Sequence, residues 1–301
     1  MRVGWIGLGA MGGPMAVVVA SAGHEVSAFD RSEGRAASLA YEGFSAASAA
    51  CEGFSAAGSA TEAVGGANVV ALMVATGAQA DEVLFGPDTL AAALQPGTVV
   101  LLMATVGPAA AISLAQGLAP YDVELVDAPV SGGTARAASG DLLMLVSGSE
   151  RALGIVQPLL DAMAGSAPVV GHEVGDGQKV KLVNQLLCGV HIAVAGEALA
   201  FAESLGLDAR ATWEILRSGA AASFMFDDRG SRMVDETSTE VRSAIDIFVK
   251  DMGLVAEAAR SNTFPAPLAT AAEQLYLRGR QQGLGRKDDS SVIEVFRGPA
   301  S

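Results

Sequence analysis

Residues 3–16 read VGWIGLGAMGGPMA: an apolar run that halts at Gly7, crosses glycines at 9 and 12, and resumes as an Ala- and Val-rich stretch. Gly7, Gly9 and Gly12 fit the G-x-G-x-x-G spacing of a strand-to-helix turn. In such a turn the first glycine permits the tight bend, the second lets backbone approach a pyrophosphate, and the third lets the helix lie close to the strand. Phosphates would then rest on amides at the positive end of the helix. The triplet is weak alone. It gains weight because the next strand-like run, EVSAFD (25–30), ends in Asp30. A carboxylate there can accept both hydroxyls of an adenine ribose, which favours NAD. Arg31 follows and is placed to hold a 2′-phosphate, so NADP stays open.

Working outward, short β-rich runs alternate with Ala-rich helical ones up to about residue 170. The candidate strands are 3–8, 25–30, 68–74, 98–103, 123–128 and 142–148. Most are continuously apolar, as expected where helices cover both faces of a sheet. The alternation predicts an α/β fold with a Rossmann-type, doubly wound parallel sheet over 1–170. From about 171 the strand signal disappears. Helical patterns over 176–206, 208–219, 245–261, 266–283 and 288–296 predict an all-α domain over 171–301, joined to the first by a long interdomain helix. One irregularity remains: EGFSAASAAC (42–51) is followed at once by the near-copy EGFSAAGSAT (52–61). Two copies are too few for a solenoid, so the repeat reads as a lengthened surface connection.

The long helix raises a question of its own. GQKVKLVNQLLCGVH (177–191) opens the most apolar long segment, yet carries Lys179 and Lys181. Lysine is seldom buried without a reason. Lys181, Asn184, Gln185 and Cys188 are spaced to share one helix face. A lysine facing a cleft beside a nicotinamide can take a proton from a substrate hydroxyl as hydride leaves, or polarise a carbonyl in the reverse direction. Asn184 or Gln185 would orient the substrate by amide hydrogen bonds. Spacing alone leaves the choice between the two lysines open.

Composition narrows the class. Of 301 residues, half are hydrophobic and 17% charged, which fits a compact globular chain. The net charge of −14 makes nucleic acid or an anionic membrane a poor partner. The two cysteines and three histidines show no metal-ligand spacing, so no metal site is expected. Residues 180–205 are long enough to cross a membrane, but Lys181, Asn184, Gln185, His191, Glu197 and Glu203 would sit in lipid. With no leader pattern at the N-terminus, a cytoplasmic protein is expected.

Four separated motifs resemble the β-hydroxyacid dehydrogenases: GLGAMGGPMA (7–16), DAPVSGG (127–133), G-x-G-x-x-x-K (175–181) and FVKD (248–251). The resemblance implies NAD(P)-dependent hydride transfer to or from a small hydroxy carboxylate, with Lys181 as the catalytic lysine and Lys179 a bystander. It assigns substrate binding to Ser131, Gly132, Gly133, Asn184 and Gln185. It assigns cofactor binding to Gly7, Leu8, Gly9, Ala10, Met11, Gly12, Asp30, Arg31, Val74, Thr105 and Lys250, and a structural role to Asp251. A homodimer or homotetramer is expected. The family usually places Asn four residues after the lysine, where this chain has Gln185, and the usual V-G-A after SGG becomes Thr134-Ala135-Arg136. NQLLCGVHIAVAGEALA (184–200) is most similar to the threonate dehydrogenase branch, implying a four-carbon sugar acid. The alternatives are 3-hydroxyisobutyrate oxidation, glyoxylate or tartronate semialdehyde reduction, and a dinucleotide-binding protein without activity.

Overall fold

Val69 and Ala71 pack on one face of a sheet, Val70 and Leu72 on the other; Val99 and Leu101 likewise oppose Val100 and Leu102. Successive side chains of a strand point to opposite faces. A strand with apolar residues at every position must therefore be covered on both sides, and this one is. In the computed structural model, which describes residues 1–39, 53–87, 89–235, 237 and 240–297, the chain forms two compact units, Met1–Lys181 and Leu182–Ser301.

The first unit is built on strands β1 (Arg2–Ile6), β2 (Glu25–Phe29), β3 (Phe54–Ala56), β4 (Val69–Leu72), β5 (Val99–Leu102), β6 (Glu124–Asp127), β7 (Val130–Ser131), β8 (Leu142–Met144), β9 (Val146–Ser147), β10 (Ala164–Ser166) and β11 (Val169–Gly171). The main sheet runs β11-β9-β6-β5-β4-β1-β2-β3, and all its pairings are parallel except β6–β9. The order 3-2-1-4-5-6 within it is the Rossmann order. On one face the helix Gly12–Ser21 packs on Gly133–Ser139 and Glu150–Met163; on the other, Gly77–Phe85 packs on Pro108–Leu118.

Five of the six expected strands are present as single strands. The run 142–148, read as one strand, breaks at Leu145 into β8 and β9, which join different sheets: β10-β8-β7 is a separate three-stranded sheet. The second copy of the ten-residue duplication is a further correction. Its Phe54–Ala56 is not part of a loose connection but the edge strand β3, paired with Val26–Ala28. The first copy lies outside the described residues.

The second unit is helical. Beyond the remainder of the long helix Asp176–Ser204, it contains Ala209–Leu216, Phe224–Met233, Ile245–Ser261, Pro267–Gln281, a 3-10 turn Asp289–Ile293 and Glu294–Arg297. Its core gathers Ile192, Leu199, Trp213, Phe248, Met252 and Tyr276. Phe248 stacks on Tyr276 with centroids 5.2 Å apart, and the Tyr276 hydroxyl donates to the Gly189 carbonyl at 2.7 Å. Phe224–Met233 escaped the sequence reading because Asp227, Asp228, Arg229, Gly230 and Arg232 dilute its apolar stripe. Its one local signal is Ser223, whose hydroxyl caps the helix by accepting from the Phe226 amide at 3.0 Å.

Candidate active site

Because β1, β2, β4, β5 and β6 are parallel, their C-terminal ends meet at one edge of the sheet. Gly7 follows β1, Asp30 follows β2, Val74 closely follows β4, Thr105 follows β5, and Ser131 lies just past β6. Open α/β sheets bind ligands at that edge, where the strand order reverses. Here the reversal falls between β1 and β4.

The glycine turn separates two kinds of need. Gly7 has φ +95°, and a Cβ there would run into the Met73 carbonyl; a Cβ on Gly12 would run into the carbonyl of Gly7. These two serve the fold. A Cβ on Gly9 would meet nothing within 4 Å, so no contact within the chain requires glycine at that position. What Gly9 leaves open is room for a ligand over the first turn of Gly12–Ser21, whose amides receive no side-chain cap. Val74 borders the turn, with Cγ1 3.6 Å from the position of a Gly7 Cβ. Leu8 itself is buried in the core. Ala10 and Met11, between the glycines, remain at least partly exposed.

Asp30 completes this part. Its carboxylate accepts from the Leu8 amide at 2.7 Å and from the Ser32 amide at 2.8 Å. Partial burial opposes ionisation, but these amides and the nearby Arg35 hold the carboxyl below its usual range. It is therefore an anion fixed beside the glycine turn, the partner that ribose hydroxyls need and a 2′-phosphate does not. Arg31 is exposed. Arg35, which the sequence reading passed over, donates from Nε to the Leu8 carbonyl at 2.9 Å and so braces the same turn. The open slot over Gly9, the uncapped amides and Asp30 fit a dinucleotide.

At the ends of β5 and β6 a second group converges. Ser131 is held by β7 pairing with Leu143 of β8, and Gly132 and Gly133 have φ +136° and +74°. Arg136 packs over Gly132 and forms an ion pair with Asp141 at 3.4 Å. Asp127 is fully buried. It accepts from the Gly175 amide (3.2 Å), the Gln178 amide (2.9 Å), Gln178 Nε2 (2.7 Å) and the Ser147 hydroxyl (3.5 Å). Burial without a cation pushes its carboxyl up to about 6, despite these bonds. Gln178 Oε1 accepts from Val106 and Gly107 amides at 2.9 and 3.0 Å, and its Nε2 also donates to the Ala104 carbonyl at 3.0 Å. Thr105 is thus bracketed by one side chain. Neither Asp127 nor Gln178 was singled out from the sequence.

On the long helix, the two lysines part company. Lys181 is 5% exposed, whereas Lys179 points to solvent and pairs with Asp176 at 2.7 Å. Among the described lysines Lys181 alone is buried. Within the second unit, Asn184 Nδ2 donates to Gln185 Oε1 at 2.7 Å, and Gln185 Nε2 donates to Asp251. Lys250 pairs with Asp251 at 2.8 Å. Gln185 is therefore tied into a network with Asn184, Asp251 and Lys250.

Two family models match the chain in succession. One describes the NAD binding domain of 6-phosphogluconate dehydrogenase and matches residues 2–172; the other describes the NAD-binding of NADP-dependent 3-hydroxyisobutyrate dehydrogenase and matches 175–296. The chain is 38% identical to L-threonate dehydrogenase of Escherichia coli strain K12 over 297 residues, covering 99% of this chain and 95% of that one. It is 42% identical to L-threonate dehydrogenase of Pectobacterium atrosepticum over 231 residues, 77% of this chain and 76% of that one. The crystal structure of 3-hydroxyisobutyrate dehydrogenase from Salmonella typhimurium superposes with a TM-score of 0.88 at 37% identity, covering 97% of this chain and 98% of that one.

Proposed function

The chain belongs to the β-hydroxyacid dehydrogenase family, and on that premise we propose that it oxidises L-threonate with Lys181 as the general acid–base group. It is an NAD(P)-dependent hydroxyacid dehydrogenase acting on the CH–OH group of a small carboxylate. The turn Gly7–Gly12 and Asp30 would hold NAD, which would supply the hydride acceptor. Lys181 takes the hydroxyl proton as the carbon–hydrogen bond gives up its hydride, so that a carbonyl forms without a free alkoxide. In the reverse direction it returns that proton. The Ser131 hydroxyl and the Gly132 and Gly133 amides receive the substrate carboxylate. Asn184 orients the substrate, and Gln185 fixes the Asn184 amide. Thr105, Val74 and Lys250 complete the cofactor contacts, as the family resemblance implies.

For the lysine, the burial of Lys181 beside an exposed Lys179 carries the reading. For the substrate, the relatives named L-threonate dehydrogenase carry it. The solved relative named for 3-hydroxyisobutyrate supports that acid as a second candidate. The helix Asp176–Ser204 has the length and composition to cross a membrane, with half of its apolar window buried in the protein. We read it as the core helix of a soluble, cytoplasmic enzyme that works as a homo-oligomer.

The test is a turnover assay with L-threonate and 3-hydroxyisobutyrate, each with NAD and NADP. L-Threonate with NAD should give the highest kcat/KM; a preference of tenfold or so for 3-hydroxyisobutyrate would move the substrate assignment. Lys181→Ala should lower kcat at least about a hundredfold while NAD still binds, and Lys179→Ala should change it less than about threefold. Native turnover in Lys181→Ala would remove the lysine from the mechanism.

A further inference from the structure

Resting on the assignment of Lys181, we propose that Gln178 and Asp127 are positioning residues of the reaction, together seating the first turn of the lysine-bearing helix on the strand ends that carry Thr105 and Ser131.

The Gln178 carboxamide has two lone-pair positions and two N–H groups. All four are used: Oε1 by the Val106 and Gly107 amides, Nε2 by the Ala104 carbonyl and Asp127. A side chain bonded at every position has one orientation, and its backbone is fixed as well, because the Gln178 amide donates to Asp127 at 2.9 Å. Gly177 makes this approach possible. A Cβ there would run into the Leu145 carbonyl and lie 3.0 Å from both the Asp127 carbonyl and its carboxylate. The Gly177 amide meets the Ser147 hydroxyl at 3.0 Å. Lys181 follows Gln178 by three residues, so the two stand one above the other on the helix. How Gln178 is held therefore decides where the Lys181 amine points. Asp127 lies four residues before Ser131, and Thr105 lies between two residues bonded to Gln178. Three loops from distant parts of the chain are thereby indexed to one buried amide. Misplacement by about one ångström is enough to cost about a hundredfold in rate, which gives this seat its role.

Burying a carboxylate without a cation is costly. The groups that bear on Asp127, namely Gln178, Gly175 and Ser147, carry no charge. On the helix Asp176 is paired with Lys179, and Lys181 lies one turn on. An apolar contact would have held the helix against the sheet at lower cost. What the network adds is direction.

Gln178→Met keeps the length of the side chain and removes its four hydrogen bonds. It should lower kcat about 10- to 100-fold, with a much smaller rise in the KM for NAD, since Thr105 is the one cofactor contact that Gln178 brackets and the glycine turn and Asp30 stand on other strands. In a Lys181→Ala background the same substitution should remove less than about threefold more, because no amine is left to misplace. Gln178→Glu supplies an independent reading. Two adjoining buried carboxyls must share a proton, so its kcat relative to the native enzyme should rise at least about threefold from about pH 8 to about pH 6. Native turnover in Gln178→Met, equal losses with and without Lys181, or a flat pH ratio in Gln178→Glu would overturn the proposal. If Lys181→Ala is inactive while Gln178→Met turns over normally, positioning alone falls. If Lys181→Ala itself turns over normally, the catalytic assignment falls, and the proposal with it.

Discussion

Each unit buries carboxylates, and each holds them differently. In the first, Asp127 is surrounded by neutral donors: two backbone amides, a carboxamide and a hydroxyl. In the second, buried Asp288 and Asp289 and half-buried Asp228 meet two guanidinium groups. Arg229 donates to both oxygens of Asp289 at 3.2 and 3.0 Å and to Asp228 at 2.7 Å. Arg232 donates to Asp288 at 3.0 Å and to Asp228 at 2.8 Å. Burial opposes ionisation in every case. At Asp228 the Arg232 bond and the charge of Arg229 overcome it, and at Asp288 Ser290, the Arg242 amide and Arg232 do so; both carboxyls lie below their usual range. Asp289, fully buried, is raised in spite of Arg229. Neutral donors thus give a geometry that titrates within reach of neutral pH, suited to aligning a site. The ionic cluster gives a clamp, here tying the helix Phe224–Met233 to residues 288 and 289.

The clamp should be the costlier to break. Removing one partner of a buried ion pair leaves the other charge uncompensated and costs about 3–5 kcal/mol. Arg229→Ala should therefore destabilise the second unit by that order. The chain's two tryptophans separate the units: Trp5 is buried in the first, and Trp213 in the second, where its indole donates to the Phe226 carbonyl at 3.1 Å. Denaturant unfolding of Arg229→Ala should show the loss in the full fluorescence transition. In the Trp213→Phe protein, which reports on Trp5 alone, Arg229→Ala should shift the transition much less. Equal shifts would mean that the units unfold as one body.

The same contrast explains what the sequence disclosed. The strands of the first unit announce themselves by unbroken apolar runs such as NVVALMV, and the glycine turn and Asp30 by a fixed spacing along the chain. These signals are local, so they were readable. Gln178 was not, because its partners lie 51 to 74 residues away and no spacing encodes them. Arg35 is similar: its function is a bond to the Leu8 carbonyl across the turn. β3, β10 and β11 are three-residue strands, too short for a two-residue period to stand out. From spacing Lys181 was legible as one of two lysines; the G-x-G-x-x-x-K resemblance favours it, and burial sets it apart from Lys179.

A smaller effect sharpens the comparison through pH. Burial pushes the Asp127 carboxyl up to about 6 in the folded chain, above the ordinary 3.8 of an aspartate. The folded state therefore binds a proton that the unfolded chain has released between those values, and stability falls as pH rises through that window. Measured against Asp127→Asn, which cannot titrate there, the native protein should lose about 2 kcal/mol of relative stability between about pH 4 and pH 6.5. Urea unfolding of both proteins at the two pH values, followed at Trp5 in the Trp213→Phe background, measures the difference. A relative gain with rising pH would show that the amides around Asp127 outweigh its desolvation. The carboxylates beside Arg232 in the second unit predict the opposite sign for Asp288→Asn.

The smallest effect on the fold concerns what each unit leaves uncovered. Among the described residues, the first unit exposes few large apolar side chains, namely Met1, Ile112, Val169 and Val180, whereas the second exposes many. On the long helix Leu187, Val194 and Phe201 are all at least half exposed and recur every seven residues, a period that keeps them on one stripe of the helix. An exposed apolar stripe suits a contact between copies, as the proposed homo-oligomer would need. Phe201→Glu changes a side chain that the single chain leaves in solvent, so its effect on the stability of one protomer should stay within about 0.5 kcal/mol. Between copies it would bury an unpaired charge, which interfaces tolerate poorly. Light scattering should give a dimer or tetramer for the native enzyme and a smaller mass for Phe201→Glu, with the Trp5 transition unmoved. A native enzyme that runs as a monomer would remove the stripe from the assembly. An unchanged mass in Phe201→Glu would move the contact to another face of the second unit.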